Sequence, residues 1–244
     1  MWKNSVSTET HPPDAESIFM KEKDTAEKIH IVSSHNEVLL PWTDFRLKQQ
    51  DTVPLPVLVL DHHTDVMPAF RDAGAVIEKD CWKDPAFMEE TVKKLKHDDH
   101  FHFAVVSGLV KECRISACVN GTVPAHEALQ ILWDERWEDE NRVFADPEKY
   151  RFLADSVLET AYLEARFGKD LPEKFILDID CDYFATMKSL TPDDRNYFDK
   201  MVASASLITV SLEKEWVRLL RFPGENHLTA EKIVETLFPC LNRK

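Results

Sequence analysis

The sequence contains no CxxC pair and no apolar run long enough to cross a bilayer. Its five cysteines are scattered and odd in number, which argues against a disulfide framework and favours a reducing compartment. A membrane-spanning helix needs roughly 18 apolar residues in a row, and no run approaches that length. The start, MWKNSVSTETHPPDAESIFMKEKDTAEK, mixes charge with proline and lacks the apolar core of a signal peptide. We therefore expect an unprocessed cytoplasmic protein.

Positive charge is also scarce. The chain has 30 lysine and arginine residues against 44 aspartate and glutamate residues, which gives a formal net charge of -14 at pH 7. Such a surface repels a phosphate backbone, so nucleic acid and anionic membranes are disfavoured as partners. A cationic substrate matches this charge better.

The pattern along the chain indicates one α/β domain at residues 28–244, preceded by a polar N-terminal arm at 1–27. Predicted strands cover 28–33, 54–61, 113–119, 174–184 and 206–212, and predicted helices cover 84–97, 103–110, 125–140, 146–168, 193–205 and 228–238. This alternation predicts a three-layer α/β/α sandwich with a mostly parallel central sheet. We expect Asp84 to cap the helix at 84–97 and Gly168 to end the helix at 146–168.

Aspartate and histidine residues cluster where two apolar strands end. They alternate with other residues, as side chains on one face of a strand do: Asp61, His63 and Asp65 in the first segment, and Asp178, Asp180 and Asp182 in the second. Ligands of parallel sheets bind beyond the carboxyl ends of the strands. Converging carboxylates repel one another there unless cations neutralise them. Carboxylates with a few imidazoles and no thiolate favour Mn²⁺ or a similar ion, so we expect two divalent metals and metal-assisted hydrolysis.

Three sequence motifs resemble motifs of the ureohydrolase (arginase/deacetylase) superfamily and occur in the order expected for it. LDHHTD, residues 60–65, resembles its DxHxD motif, and LDIDCDYF, residues 177–184, resembles its SxDxD motif. SSHNEVLLPW, residues 33–42, is similar to the first segment of a branch that includes the peptide arginases. Those enzymes convert arginine side chains of ribosomally made precursor peptides to ornithine and release urea. The resemblance implies an arginase/deacetylase-like sandwich over most of the domain.

Carried over position by position, the resemblance implies six ligands for two Mn²⁺ ions. They are His35, Asp61, His63, Asp65, Asp180 and Asp182. In that arrangement Asp61 and Asp180 bridge the ions, while His35 and Asp65 bind the first ion and His63 and Asp182 the second. Asp178 stands at the serine position of SxDxD, so it is expected to lie behind the ligands rather than on a metal.

The resemblance leaves other catalytic groups open. A serine pair at 33–34 replaces the two glycines that precede the metal-binding histidine of arginases. Strand alignment offers Ser211 or Glu213 for the guanidinium group, and Glu213 is the better chemical match. Three histidines are candidates for proton transfer: His100, His102 and, as a third option, His126.

The implied activity is a dinuclear manganese hydrolase that converts peptidyl arginine to ornithine, with a hydroxide shared by the two ions attacking the guanidinium carbon. Its partner would be an arginine-containing precursor peptide. Two alternatives remain at this stage. One is a hydrolase of a free small guanidine or amide, such as arginine or agmatine. The other is a non-catalytic, metal-stabilised interaction domain.

Overall fold

The computed structural model describes residues 27–49, 53–72, 74–119, 122–137, 143 and 145–242, so the predicted arm lies outside it except for Glu27. The described residues form six strands: β1 Ile29–Val32, β2 Pro56–Asp61, β3 Glu112–Ala117, β4 Leu129–Ile131, β5 Ile176–Asp180 and β6 Leu207–Ser211. They also form eight α-helices: α1 Leu39–Lys48, α2 Pro85–Val92, α3 His100–Val106, α4 Pro147–Asp155, α5 Thr160–Phe167, α6 Asn196–Ser204, α7 Lys214–Leu220 and α8 Ala230–Leu237.

All six strands belong to one sheet, with the order β1-β6-β5-β2-β3-β4. Every neighbouring pair is parallel. Parallel strands need long crossover connections, and helices supply them except between β3 and β4, where the described residues form no helix. The architecture confirms the predicted three-layer α/β/α sandwich.

The central strand β2 shows why the sheet is covered on both faces. Its side chains alternate between two separate hydrophobic clusters. Leu58 and Leu60 pack in one cluster, together with Leu177 of β5. Val57 and Val59 pack in the other, which also contains residues of α1, α2 and α3. Continuous leucine and valine along a strand is the composition expected when helices cover both faces of a parallel sheet.

Two of the predicted helices differ from the structure. The helix predicted at 125–140 is wrong in its described part, because residues Leu129–Ile131 form β4 and pair with β3 at the edge of the sheet. A strand of three residues is too short to show a two-residue period in the sequence. The helix predicted at 146–168 is two helices, since residues 156–159 interrupt it between α4 and α5. It ends at Gly168, as predicted, with φ of 84°.

The strand order brings chemically reactive chain segments to one edge of the sheet. The adjacent strands β6, β5 and β2 end at Ser211, Asp180 and Asp61. The edge strand β1 lies beside β6 and leads into a short 3-10 helix that begins at His35. Because parallel strands end on the same side, these segments meet beyond their carboxyl ends.

None of the helices in the described part of the chain combines the length and apolar character needed to cross a membrane.

Asp84 caps α2 as predicted: its Oδ1 accepts hydrogen bonds from the backbone N–H groups of Ala86 and Phe87, at 3.0 and 3.2 Å. Replacing Asp84 by alanine leaves these N–H groups without a protein acceptor. We expect Asp84→Ala to lower the free energy of unfolding by about 1 kcal/mol in urea denaturation. Asp84→Asn keeps an acceptor and should lose much less. Equal losses in the two variants would contradict the capping role.

Candidate metal centre

His35 lies at the middle of a buried group of carboxylates. Its Nδ1 atom is 3.0 Å from Asp180 Oδ2, 3.1 Å from Asp65 Oδ2 and 3.5 Å from Asp61 Oδ2. On the opposite side of the ring, Nε2 is 2.8 Å from Asp178 Oδ2. All five side chains are at least 94% buried, since their exposed fractions lie between 0% and 6%. One imidazole therefore contacts four carboxylates in a nearly water-free environment.

The two nitrogens of His35 have different partners, and this difference orients the ring. Asp178 is held from behind, because its Oδ1 accepts a short hydrogen bond from the Thr209 hydroxyl. That hydroxyl in turn accepts a hydrogen bond of 3.1 Å from Trp42 Nε1. An acidic partner on Nε2 favours a proton there, so Nδ1, which faces the other carboxylates, could bind either a second proton or a metal ion. In metal-binding histidines a carboxylate commonly holds the second ring nitrogen in this way.

Electrostatics in this group favours positive charge. Burial by itself opposes a charged imidazole, but Asp180 and Asp178 outweigh that effect and raise the pKa of His35 well above its ordinary value. Burial also raises the pKa of Asp61 well above its ordinary value, and the charges of Asp65 and Asp182 raise it further. The ionised carboxylates therefore need a neutralising cation, either protonated histidine or a metal ion.

A second group lies beside the first and shares Asp61 with it. His63 Nδ1 is 3.1 Å from Asp182 Oδ2. Burial disfavours the His63 cation, yet its hydrogen bond to Asp182 and the charge of that carboxylate raise the pKa of His63 to about 10. The Oδ1 atom of Asp61 accepts a hydrogen bond of 2.8 Å from the His63 backbone N–H. Its Oδ2 atom is buried and has no hydrogen-bond partner among the described residues.

The described residues contain three sets whose donor atoms all lie within 4.8 Å of one another, close enough to hold a metal ion. The sets are His35, Asp61 and Asp180; Asp61, His63 and Asp182; and His35, Asp65 and His100. All six residues predicted as ligands occur in them. Asp61 belongs to two sets, and its unpartnered Oδ2 is the kind of buried atom that a cation would satisfy. Buried aspartates and histidines at this edge of the sheet could therefore hold a metal ion.

The backbone brings these residues together differently from the prediction. Strand β5 alternates Asp178 and Asp180 as expected, but it ends at Asp180, so Asp182 lies in the following 3-10 helix, Cys181–Tyr183, and not on the strand face. Strand β2, however, ends at Asp61, so strand alternation does not place His63 and Asp65. Asp65 instead reaches the group through a left-handed backbone conformation with φ of 48°. Such conformations cost about 1 to 3 kcal/mol in a non-glycine residue and occur preferentially at functional sites.

Two side chains of the SSHNEVLLPW motif hold the loop before α1, in which Ser33 and Ser34 stand where arginases have two glycines. Glu37 Oε2 accepts hydrogen bonds from the backbone N–H groups of Ser33 and Ser34, at 2.9 and 3.3 Å. Asn36 Nδ2 donates to the Val92 carbonyl of α2 at 2.8 Å. These two anchors lie on either side of His35 and fix the chain there.

Glu213, the predicted guanidinium-binding residue, lies against the same loop. Its Oε1 accepts a hydrogen bond of 2.8 Å from the backbone N–H of His35. Burial raises the pKa of Glu213, although that N–H group opposes the rise. Its backbone is also left-handed, with φ of 36°. The alternative, Ser211, is fully buried at the end of β6, and its hydroxyl has no hydrogen-bond partner among the described residues.

The three histidines considered for proton transfer lie in different places. His100 is fully buried, with its ring centroid 4.5 Å from that of His35 and its Nδ1 3.0 Å from the His97 carbonyl. Burial and the charge of His35 lower its pKa well below the ordinary value. His102 is in none of the three sets, and its Nδ1 accepts a hydrogen bond from the Ala69 N–H. The ring of His126 is 6.5 Å from that of His102.

Two residues near the candidate ligands, Trp216 and His97, were not predicted from the sequence. The ring of Trp216 is 5.2 Å from that of His63 and 6.1 Å from that of His97. Trp216 is partly exposed and His97 is exposed, so both lie on the solvent side. A possible signal was the position of Trp216, three residues after Glu213. His97 gave none, because nothing local distinguishes it from the neighbouring histidines.

Comparison of this chain with protein-family models and with curated proteins finds no match.

Removing the charge of Asp61 should change the free energy of unfolding in opposite directions with and without bound metal. With a chelator present, the ionised Asp61 is destabilising, because its folded-state pKa is raised. We expect Asp61→Asn to increase the free energy of unfolding by about 1 kcal/mol or more under those conditions. With Mn²⁺ at a hundredfold excess over its Kd, the wild type should gain about 2.7 kcal/mol and the variant much less.

Urea denaturation with chelator and with Mn²⁺ measures both effects. Asp199→Asn, on the exposed surface of α6, is the matched control and should respond to Mn²⁺ as the wild type does. A variant at position 61 that is less stable in chelator, or that gains as much from Mn²⁺ as the wild type, would show that this carboxylate is structural.

His62 gives a prediction about pH. Burial, with a further contribution from the charge of His63, lowers the pKa of His62 from 6.5 to about 4. The unfolded chain therefore binds more protons at this residue between these pH values. The neutral His62 side chain therefore contributes about 3 kcal/mol to the free energy of unfolding above pH 6.5. This contribution is lost as the pH falls toward 4. Between pH 7 and pH 4, His62→Gln should thus lose about 3 kcal/mol less than the wild type.

Urea titrations of the two proteins across that pH range test the prediction. His227→Gln, at an exposed histidine, serves as the control and should follow the wild type. Parallel pH profiles for His62→Gln and the wild type would mean that His62 is protonated as easily in the folded protein as in the unfolded chain.

Proposed function

We propose that this chain is a dinuclear, Mn²⁺-dependent hydrolase that converts arginine residues of a peptide to ornithine and releases urea. The observation that carries the proposal is Asp61, which belongs to two adjacent sets of metal-ligand atoms and has one buried oxygen without a hydrogen-bond partner among the described residues. The resemblance of LDHHTD, LDIDCDYF and SSHNEVLLPW to the ureohydrolase superfamily supports the same reaction class.

The donor set fits two hard or borderline divalent ions. The first would be held by His35, Asp65 and Asp180, the second by His63 and Asp182, and Asp61 would reach both. Carboxylates with two imidazoles and no thiolate match the preference of Mn²⁺ better than that of structural zinc. When bound, such a metal pair supplies a water molecule of lowered pKa and stabilises negative charge.

The protein itself would bind and orient the substrate. Glu213 has one carboxylate oxygen held by the His35 N–H, while Oε2 has no donor among the described residues. That free oxygen can accept hydrogen bonds from a guanidinium group, whose planar donors match a carboxylate. The net charge of -14 attracts a cationic side chain to the protein over longer distances.

The histidines divide into positioning and proton-exchanging groups. His100 is fully buried against His35, so we assign it to holding the position of that ring. His97 is exposed and lies near Trp216 on the solvent side. It is therefore better placed than His100 or His102 to give a proton to the departing amine and recover it from water.

The decisive experiment supplies the purified chain and Mn²⁺ with arginine-containing peptides, free arginine and agmatine in separate reactions. We expect urea from the peptides and a mass loss of about 42 Da for each converted arginine, since trading guanidinium for amine removes CH₂N₂. Urea from free arginine or agmatine alone would replace the peptide proposal with a small-molecule hydrolase. Mn²⁺ binding without urea from any substrate would overturn the hydrolase assignment.

Asp180→Asn provides the variant for this assay, and Asp199→Asn on the surface of α6 provides its control. Removing a carboxylate that contacts His35 Nδ1 should weaken metal binding and lower kcat by roughly 100-fold or more. The control should keep wild-type turnover. Isothermal titration with Mn²⁺ beside the urea assay shows whether activity and metal binding are lost together.

A further inference from the structure

The first turn of α7 presents an aromatic ring and a carboxylate at the solvent side of the metal centre. Glu213 is the residue just before α7, and Trp216 follows three positions later. Glu213 has a left-handed backbone, so its side chain is placed by the hydrogen bond from His35 rather than by helical spacing. Glu213 contacts the His35 loop, and Trp216 contacts the His63 ring edge to face, at 5.2 Å and 67°. The two side chains thus lie beside His35 and His63, which belong to different sets of candidate ligands.

Core packing does not account for Trp216. Helix α7 is anchored in the core by Val217 and Leu220, which are almost fully buried. The core tryptophans Trp42 and Trp137 are also almost fully buried, and each donates a hydrogen bond through its indole nitrogen. Trp216 is partly exposed, and among the described residues its ring contacts the rings of two histidines. A large aromatic side chain is therefore kept at the surface beside a cluster of charged residues.

The part of the Trp216 ring that His63 and His97 leave uncovered can meet a cation from outside the protein. Elsewhere the protein uses its own cations in this way, as with Arg46 and Lys83 over the ring of Trp82. Among the described residues, no lysine or arginine lies over the ring of Trp216. Tryptophan gives the strongest cation–π interaction of the aromatic side chains, and guanidinium stacks on it as a weakly hydrated plane.

We propose that Trp216 and Glu213 form a subsite that selects a planar cation, with the guanidinium or its adjacent stem stacked on the indole and a donor edge facing the carboxylate. This subsite rests on the proposed function for its place in turnover, since it would present an arginine side chain to the metal centre. Its binding preference does not depend on hydrolysis. A lysine ammonium lacks the planar shape, and a citrulline side chain has the shape without the charge.

The test measures binding by the whole chain in the presence of a chelator, where no hydrolysis is expected. Three short peptides, identical except for arginine, lysine or citrulline at one position, are titrated by calorimetry. We expect the arginine peptide to bind most tightly. Trp216→Leu should weaken its binding about 3- to 30-fold and change the citrulline peptide little, while Trp216→Phe should keep part of the preference.

Leu219→Ala is the matched control, because Leu219 lies on the same helix and is 54% exposed. It should bind all three peptides as the wild type does. The subsite is wrong if the wild type shows no preference for arginine, if Trp216→Leu binds the arginine peptide unchanged, or if it loses the citrulline peptide equally. Thermal unfolding of each variant shows whether a loss of binding reflects a loss of fold.

Turnover separates this proposal from the proposed function. If both hold, Trp216→Leu should raise KM for the arginine peptide with kcat nearly unchanged, as removal of a binding interaction does. An arginine preference that depends on Trp216 in a protein that releases no urea would leave the subsite standing and remove the hydrolase. Urea release with the same KM in Trp216→Leu and the wild type would support the hydrolase and rule out the subsite.

Discussion

The burial of four carboxylates around one imidazole is the constraint on which the rest of this structure depends. Burial disfavours ionised carboxylates, and their negative charges also repel one another. The positive charge of His35 offsets both effects, because carboxylates contact both nitrogens of its ring. The loop after β1 reaches past β6 and brings the ring of His35 against Asp178 and Asp180 of β5. Sheet order, loop geometry and electrostatics are therefore fixed by the same contacts.

The hydrogen bonds that orient the site also belong to the core. Trp42 packs in the cluster beneath α1 and donates to Thr209 of β6, which donates to Asp178 of β5. This chain runs from a helix through two strands to the Nε2 atom of His35. A change in packing under α1 is thus transmitted to the orientation of a candidate ligand. Partners behind a ligand commonly set its tautomer and basicity, and here they are part of the folding core.

Solvent exposure in the candidate metal centre increases from fully buried to exposed side chains over a short distance. His62 and His100 lie at its buried side, where desolvation lowers the pKa of both imidazoles and keeps them neutral. His63 and Glu213 lie farther out, and Trp216 and His97 meet solvent. Left-handed backbone occurs both at Asp65, which is buried, and at Glu213, which is partly exposed. That arrangement suits a site that excludes water around its charges yet admits one polar side chain.

Sequence alone determined the class of fold and the residue types that form the candidate centre. Apolar strands alternating with helices specify a parallel sheet, and acidic residues after PLPVLVL and within DIDCD need compensation wherever the strands lie. Tertiary structure decided which groups meet. His35 and Asp178 are 143 residues apart, so their contact follows from strand order, which no local pattern encodes. The same holds for His97 and Trp216, which approach each other across the fold, and for β4, whose three residues become a strand only by pairing with β3.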